Sequence, residues 1–104
     1  MYTEIDAAEL QSMRQSDGLL LIDVRTDPEV ARGMIEGAQH IPLHALPLRY
    51  QELDKTRTIV FYCQSGARSA QAAGFLAANG FDQVCNLRGG LMGWLRDGMP
   101  VVQA

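Results

Sequence analysis

Three short segments in which apolar residues follow one another without polar alternation divide the chain. They are residues 19–24 (LLLIDV), 59–63 (IVFYC) and 84–87 (VCNL). Strands that are covered on both faces of a sheet have this pattern, because neither face meets water. A fourth strand, also short, is predicted at residues 2–5 (YTEI). The pattern therefore predicts a mostly parallel sheet with both faces covered.

Signals for helix ends lie between the first strands. Asp6 is a predicted N-cap, and Glu9 stands three residues later, where the acid of a capping box belongs. Gly18 is predicted to end this first helix. Asp27 and Pro28 are predicted as the N-cap and first residue of a second helix.

A third helix is predicted directly after the middle strand. Residues 69–79 are rich in alanine, and Gly80 follows as a C-terminal stop. Strands that alternate with helices favour an α/β fold with right-handed crossovers and helices on both faces of the sheet. In such folds the ligand site lies beyond the carboxyl ends of the strands.

The composition fits one globular domain. The chain has 104 residues, of which 47% are apolar and 20% are charged. This length supports one hydrophobic core and is short for two. We therefore expect a single domain over residues 1–104.

Charge and hydropathy limit the range of partners. The net charge is −3 and the arginines are scattered, whereas nucleic-acid binding usually requires a basic patch. The longest strongly apolar run, residues 19–22, is far shorter than the ~18 residues of a membrane span, and the first residues have no signal-peptide pattern. We expect no nucleic-acid or membrane partner and a cytoplasmic location.

The two cysteines and two histidines do not form a metal-binding pattern. Cys63 and Cys85 are too few for a disulfide framework and belong to no Cys-x-x-Cys pair. His40 and His44 have no cysteine or acid at metal-ligand spacing, so we expect surface histidines and no metal site. Cys85, inside an apolar strand, is expected to be a buried inert thiol; a resolving thiol for Cys63 is the alternative.

The segment around Cys63 has the residues of a nucleophilic loop. Cys63 ends a predicted strand, and the chain then leads into a helix N-terminus, whose N–H groups favour an anion. Such surroundings lower the pKa of a thiol and make thiolate available near neutral pH. Gly66 permits a positive φ, and Arg68 adds a permanent charge. The alternative is that Cys63 is one more small hydrophobic residue of the core.

Backbone N–H groups of the loop are the predicted binding groups for an anion. The candidate residues are Gln64, Ser65, Gly66, Ala67, Arg68 and Ser69. Two roles remain open for the Arg68 side chain: orienting an anionic substrate, or an ion pair with Asp23 or Glu29. Arg25 could reach an incoming anion, but a pair with its sequence neighbour Glu29 is the expected role. Asp23 is expected to accept hydrogen bonds from backbone N–H groups, so structural roles are favoured for Arg25, Glu29 and Asp23.

The spacing of the loop separates sulfur chemistry from phosphorus chemistry. Four residues lie between Cys63 and Arg68, whereas cysteine phosphatases and similar arsenate reductases have one residue more. The loop is therefore predicted to be too tight for phosphate.

Three segments together resemble a known family. Residues 63–69 (CQSGARS) are similar to the active-site loop of single-domain rhodaneses, the thiosulfate sulfurtransferase-like proteins. Residues 20–42 (LLIDVRTDPEVARGMIEGAQHIP) and 86–94 (NLRGGLMGW) resemble the first and last signatures of that family. The departures are Val30, Met34 and His40, all outside the cysteine loop.

The resemblance implies a rhodanese-like α/β domain and a double-displacement reaction. Cys63 would attack the outer sulfur of a small anionic donor such as thiosulfate, release sulfite and become a persulfide. Cyanide in assays, or a thiol or protein thiol in cells, would then accept the sulfur. No metal or organic cofactor is implied. Because Arg68 is the only permanent charge in the loop, we expect modest turnover with thiosulfate.

A second function stays open beside the enzyme. The same cysteine loop would serve a non-enzymatic sulfane-sulfur carrier that passes persulfide sulfur between proteins. Trp94 and the Gly89–Gly90 pair are expected to have structural roles, in packing the last helix and in a tight turn; the alternative for the glycine pair is that its N–H groups line the pocket.

Overall fold

Five parallel strands form the central sheet of the computed structural model, which describes residues 1–15 and 18–104. The strands are β1 (Thr3–Ile5), β2 (Leu19–Asp23), β3 (Gln39–His40), β4 (Thr58–Tyr62) and β5 (Val84–Leu87). Their order across the sheet is β1-β5-β4-β2-β3, so β4 is the central strand. The α/β fold with a parallel sheet is confirmed.

Helices cover both faces of this sheet. They are α1 (Ala7–Met13), α2 (Asp27–Ala31), α3 (Leu46–Arg49), α4 (Ala67–Ala78) and α5 (Gly90–Arg96), with 3₁₀ turns at Leu43–Ala45 and Tyr50–Glu52. One apolar cluster joins the sheet to α3 and α4, and a second joins it to α1 and α5. The two clusters are the two sides of the core.

The side chains of β4 show why its sequence is apolar without alternation. Ile59 and Phe61 belong to the cluster under α4, whereas Val60 and Tyr62 belong to the cluster under α1 and α5. All four are 0% exposed. Because successive side chains of a strand point to opposite faces, a strand covered on both faces needs apolar residues at every position.

Two of the predicted helix starts are wrong by one or two residues. The second helix has Thr26 as its N-cap, since Glu29, at position N3, closes a capping box with Thr26 and not with Asp27. Helix α4 begins at Ala67 and not at Ser69, because Gly66 with φ +107° takes the N-cap position without a capping side chain.

The first helix has the predicted start and a different end. Asp6 and Glu9 form the predicted capping box, with N–H to carboxylate distances of 2.9 and 2.8 Å. The helix ends at Met13, ahead of the predicted stop at Gly18. Residues 16 and 17, which the prediction included in this helix, lie outside the described residues.

None of the helices in the described residues is long and apolar enough to cross a membrane. The cytoplasmic location stays a prediction.

Candidate active site

Cys63 lies directly beyond the carboxyl end of the central strand. Strand β4 ends at Tyr62, the chain turns over residues 63–66, and α4 begins at Ala67. The turn depends on Gly66: its φ is +107°, and a Cβ there would lie 3.3 Å from the Gly89 backbone nitrogen. Only glycine adopts this conformation easily at such a close approach. The fold therefore brings the cysteine to the N-terminus of α4.

Gly66 and Ser69 donate hydrogen bonds to the sulfur of Cys63. The N–H of Gly66 donates to Sγ at 3.1 Å, and Ser69 donates through its N–H and its hydroxyl, both at 3.4 Å. Cys63 is 1% exposed and Ser69 is 0% exposed. Cys63 is thus almost fully buried, with hydrogen-bond donors around its sulfur.

These contacts decide the protonation state that the site favours. Burial raises the pKa of Cys63, and the hydrogen bonds from the Ser69 hydroxyl, the Ser69 and Gly66 N–H groups and the Ser65 N–H lower it. The donors outweigh burial, so the pKa lies below that of an ordinary thiol. The positive end of α4 acts in the same direction.

Not every predicted loop donor contacts the sulfur. Within the described residues, Gln64, Ala67 and Arg68 donate no hydrogen bond to Sγ. Ala67 and Arg68 occupy the first turn of α4, where N–H groups have no carbonyl partner inside the helix. Their N–H groups are therefore available to an atom beyond the sulfur.

Helix α5 supports the loop from the opposite side of the sheet. The N–H of Leu91 donates to the Cys63 carbonyl at 2.8 Å, and the N–H of Met92 donates to the Gln64 carbonyl at 3.1 Å. A Cβ on Gly90 would lie 2.6 Å from the Cys63 carbonyl oxygen, closer than real side chains approach. The Gly89–Gly90 pair thus lets α5 begin directly against the cysteine backbone, which agrees with the structural role expected for it.

Arg68 forms a bidentate ion pair with Glu29. Its two terminal nitrogens lie 2.7 and 2.9 Å from the two carboxylate oxygens. Hydrogen bonding to Arg68 holds the pKa of Glu29 at about 2, with further support from Thr26. Of the two roles left open for Arg68, this structure contains the ion pair. Its charge is consequently shared with a carboxylate before any substrate arrives.

The partner expected for Arg25 is wrong. Arg25 pairs with Asp23, with Nη2 2.7 Å from Oδ2, and contacts Glu29 only through the backbone carbonyl at 3.3 Å. Asp23 also accepts the Arg25 N–H at 2.9 Å, as predicted for this carboxylate. Asp23 is 0% exposed, and the buried guanidinium also donates to the Gly33 carbonyl and the Gln64 side chain. A buried carboxylate needs this pairing more than the partly exposed Glu29 does.

The two histidines differ from each other. His44 is exposed, as expected, but the surface prediction is wrong for His40, which is half-buried with Nε2 2.7 Å from the Arg25 carbonyl. In the part of the chain that the structure describes, no group of His, Cys, Asp and Glu is placed to hold a metal ion.

Cys85 is buried, as predicted, on the other face of the sheet. It belongs to the cluster under α1 and α5, whereas Cys63 belongs to the cluster under α4. Burial raises the pKa of Cys85, and the charge of Glu9 adds to this effect. Both cysteines are free thiols. The resolving role considered for Cys85 has no support in this arrangement.

A cleft adjoins the loop at the side of Gln64. Its volume is about 420 Å³, and Arg32, Gly33, Leu91 and Leu95 contribute to its walls. Arg25 and Glu29 complete one side, but both are already engaged in ion pairs. Arg32 is exposed and carries the remaining positive charge of the cleft.

Sequence reasoning missed one polar residue next to the loop. Asn86 is 2% exposed, and its Nδ2 lies 3.2 Å from the Gly66 carbonyl oxygen. The available signal was an asparagine inside the otherwise apolar strand VCNL.

Comparison with known proteins gives a consistent result. The family model of the rhodanese-like domain matches residues 6–97. A protein of Allochromatium vinosum named sulfurtransferase is 46% identical over 103 residues, covering 98% of this chain and 96% of that protein. Thiosulfate sulfurtransferase GlpE of Glaesserella parasuis is 28% identical over 100 residues, covering 96% of this chain and 93% of that protein.

Solved structures agree with the sequence relatives. The crystal structure of a rhodanese-related protein from Thermoplasma volcanium has a TM-score of 0.89 and 31% identity, covering 97% of this chain and 98% of that chain. The match therefore holds for both sequence and fold over almost the full length. This chain belongs to the rhodanese-like domain family.

Proposed function

We propose that this protein is a sulfurtransferase that carries a sulfane sulfur on Cys63, with thiosulfate as the type of donor. In the first step the Cys63 thiolate attacks the outer sulfur of thiosulfate. The bond from Cys63 Sγ to that sulfur forms as the bond to the sulfonate sulfur breaks, and sulfite leaves with the electron pair. The products are sulfite and an anionic Cys63 persulfide, so charge and atoms balance.

The observation that carries this proposal is the set of donors around Sγ. Gly66 and Ser69 supply hydrogen bonds that favour the thiolate, as the lowered pKa of Cys63 reflects. The persulfide places its negative charge one atom further out, toward N–H groups at the start of α4 that lack helix partners. One preorganised loop thus suits both the nucleophile and the intermediate.

In the second step an acceptor attacks the outer sulfur of the persulfide. Cyanide becomes thiocyanate, and a thiolate becomes a new persulfide, while Cys63 returns as thiolate. The cleft of about 420 Å³ beside Gln64 leaves room for an acceptor larger than cyanide. We therefore propose a thiol, free or on a protein, as the acceptor in the cell.

The charges at the site support slow turnover with small donors. Arg68 is neutralised by Glu29 and Arg25 by Asp23, so a thiosulfate dianion gains little net attraction at the loop. Relatives named sulfurtransferase and thiosulfate sulfurtransferase support the reaction class. We expect measurable activity with a high KM for thiosulfate.

Thiocyanate formation from thiosulfate and cyanide tests the proposal. Wild type should be active and Cys63→Ser inactive, while Cys85→Ser should retain activity because Cys85 lies on the opposite face of the sheet. A wild type that forms no thiocyanate would contradict the thiosulfate reaction. If a wild type without this activity still accepted sulfur from a protein persulfide, the sulfur-carrier function would replace the thiosulfate reaction.

A further inference from the structure

Asn86 is a polar residue in a position that packing alone would fill with an apolar one. It lies on β5 opposite Phe61 of the central strand and Glu4 of β1, and it is 2% exposed. Its neighbours along the strand, Cys85 and Leu87, face the cluster under α1 and α5. Alternation therefore directs the Asn86 side chain to the face of the sheet that carries Cys63 and α4.

The Asn86 amide joins the edge of the sheet to the cysteine loop. Nδ2 donates to the Gly66 carbonyl at 3.2 Å and to the two carboxylate oxygens of Glu4 at 3.1 and 3.3 Å. The reverse amide orientation would set Oδ1 against three acceptor oxygens, so these partners determine which way the amide points. One donor group thus connects β1, β5 and the loop.

The same amide leaves a buried acceptor unsatisfied. Among the described residues, Oδ1 of Asn86 has no hydrogen-bond partner. Buried polar atoms are nearly always paired, because an unpaired one loses its hydration without compensation. An apolar side chain would avoid this loss. An asparagine at this position therefore indicates a role for its donor group, which is directed at Gly66 and at Glu4.

Gly66 is the residue whose geometry the loop depends on. It adopts φ +107°, its N–H reaches Cys63 Sγ at 3.1 Å, and its carbonyl accepts both Asn86 Nδ2 and the Ala70 N–H. The carbonyl belongs to the Gly66–Ala67 peptide group and the N–H to the Ser65–Gly66 group, so a fixed carbonyl anchors the Gly66 α-carbon from which φ and ψ set the direction of the N–H. We propose that Asn86 is a positioning residue that fixes Gly66 so that the Gly66 N–H points at the sulfur of Cys63.

This inference deepens the proposed function, since it concerns the same cysteine, but its test does not require sulfur transfer. The rate of Cys63 alkylation by iodoacetamide depends on the thiolate fraction and on access to the buried sulfur, and peptide mass spectrometry assigns the product to Cys63. Measured against pH, it gives the pKa of the thiol and the limiting rate of the thiolate. A failed sulfur-transfer assay would leave this measurement valid.

Asn86→Leu keeps a side chain of similar size and removes the donor. We expect the pKa of Cys63 to rise, alkylation near neutral pH to slow about three- to tenfold, and the limiting rate at high pH to stay unchanged. Thiosulfate turnover should fall by the same factor near neutral pH and recover at high pH. A merely structural role for Asn86 would change the melting temperature without moving the pH profile.

Asn79→Leu is the matched control. Asn79 also donates an amide N–H to a backbone carbonyl, that of Phe75 at 2.7 Å, but at the far end of α4. Its pH profile should equal that of wild type. If Asn86→Leu does not fold, Asn86→Ala, which also lacks the donor, replaces it and should show the same rise in the pKa of Cys63. A wild-type pH profile for a folded Asn86 variant would overturn the proposal.

Discussion

Cys63 experiences two opposing influences, and their balance determines its chemistry. Burial favours the neutral thiol, whereas hydrogen bonds from Ser69, Gly66 and Ser65 favour the thiolate. Because the donors outweigh burial, each of them should have a measurable effect on reactivity near neutral pH. No histidine base is needed in this account.

Ser69→Ala should lower the reactivity of Cys63. The substitution removes the hydroxyl that donates to Sγ at 3.4 Å and leaves the backbone N–H in place. We expect a higher pKa for Cys63 and an alkylation rate near neutral pH that is about three- to tenfold lower, with little change at high pH. The rate of iodoacetamide alkylation against pH measures both.

Ser12→Ala is the control for this comparison, since Ser12 is exposed on α1, which covers the opposite face of the sheet from Cys63. The dependence of its Cys63 alkylation rate on pH should match that of wild type. Equal profiles for Ser69→Ala and wild type would show that the hydroxyl does not influence the thiolate.

The identity of the nucleophile could be predicted from local sequence, but most of its partners could not. Cys63 follows a strand and precedes a helix N-terminus, and both features are visible in short segments. The pairing of Arg25 with Asp23, and the contact of Asn86 with Gly66, depend on which groups become buried together. Burial is a property of the folded chain, so short segments do not reveal it.

Helix α5 packs closely against the cysteine loop because Gly90 has no side chain. Gly90→Ala would place Cβ 2.6 Å from the Cys63 carbonyl oxygen and 2.7 Å from the Gln64 carbonyl. We expect a loss of about 2 kcal/mol or more in the free energy of unfolding, because backbone atoms cannot move aside cheaply. Urea unfolding measures it.

Gly98→Ala is the control that separates the steric clash expected in Gly90→Ala from the energetic cost of a positive φ. Gly98 has φ +81°, and a Cβ there would meet nothing within 4 Å. Its alanine variant should lose only about 1 kcal/mol. Equal losses for the two variants would mean that the close approach of Gly90 contributes nothing.

The Glu29–Arg68 pair joins α2 to α4 and should contribute to stability. Glu29→Gln removes the charge and keeps a residue that can complete the capping box with Thr26. About a third of each side chain is exposed, so solvent screening limits the expected loss to about 1 kcal/mol at neutral pH. The exposed pair Arg49–Glu52 supplies the control, and Glu52→Gln should have a smaller effect.

The contribution of Glu29 should depend on pH in a defined direction. Its pKa is lowered from 4.5 to about 2 in the folded protein, so the folded state binds the proton less readily than the unfolded state. The stabilisation is present above about pH 4.5 and is lost as the pH falls toward 2. Unfolding of wild type and Glu29→Gln should therefore converge in acid; a constant difference would contradict the pairing.

Elements with an apolar run or a capping signal were predictable, and those without either were not. Apolar runs identified β2, β4 and β5, because full burial requires apolar residues at each position. Strand β3 has two residues, and α3 with its flanking 3₁₀ turns lies in a segment for which the pattern predicted no helix or strand. Such pieces are too short for a periodic pattern, and their contacts with the rest of the fold determine them.

The strand order of the whole sheet separates the two cysteines. Cys85 pairs in register with Val60, three residues before Cys63 on the neighbouring strand, which corresponds to ~10 Å along the strand. Disulfides need Cα atoms within ~7 Å. The two thiols also face opposite sides of the sheet.

Oxidation should therefore leave Cys63 and Cys85 unlinked within one molecule. After treatment with hydrogen peroxide, peptide mapping without reductant should find oxidised Cys63 and no Cys63–Cys85 peptide. Cys85→Ser should give the same oxidation at Cys63. A cross-linked peptide from folded monomer would contradict the arrangement of the sheet.

The account depends on Cys63 acting as a sulfur nucleophile, and intact mass spectrometry after incubation with thiosulfate alone tests this step. Wild type and Cys85→Ser should each gain the mass of one sulfur atom, which cyanide or a thiol then removes, while Cys63→Ser should gain none. A sulfur atom gained by Cys63→Ser would contradict the account. So would a wild type that gains no sulfur from thiosulfate or from a protein persulfide.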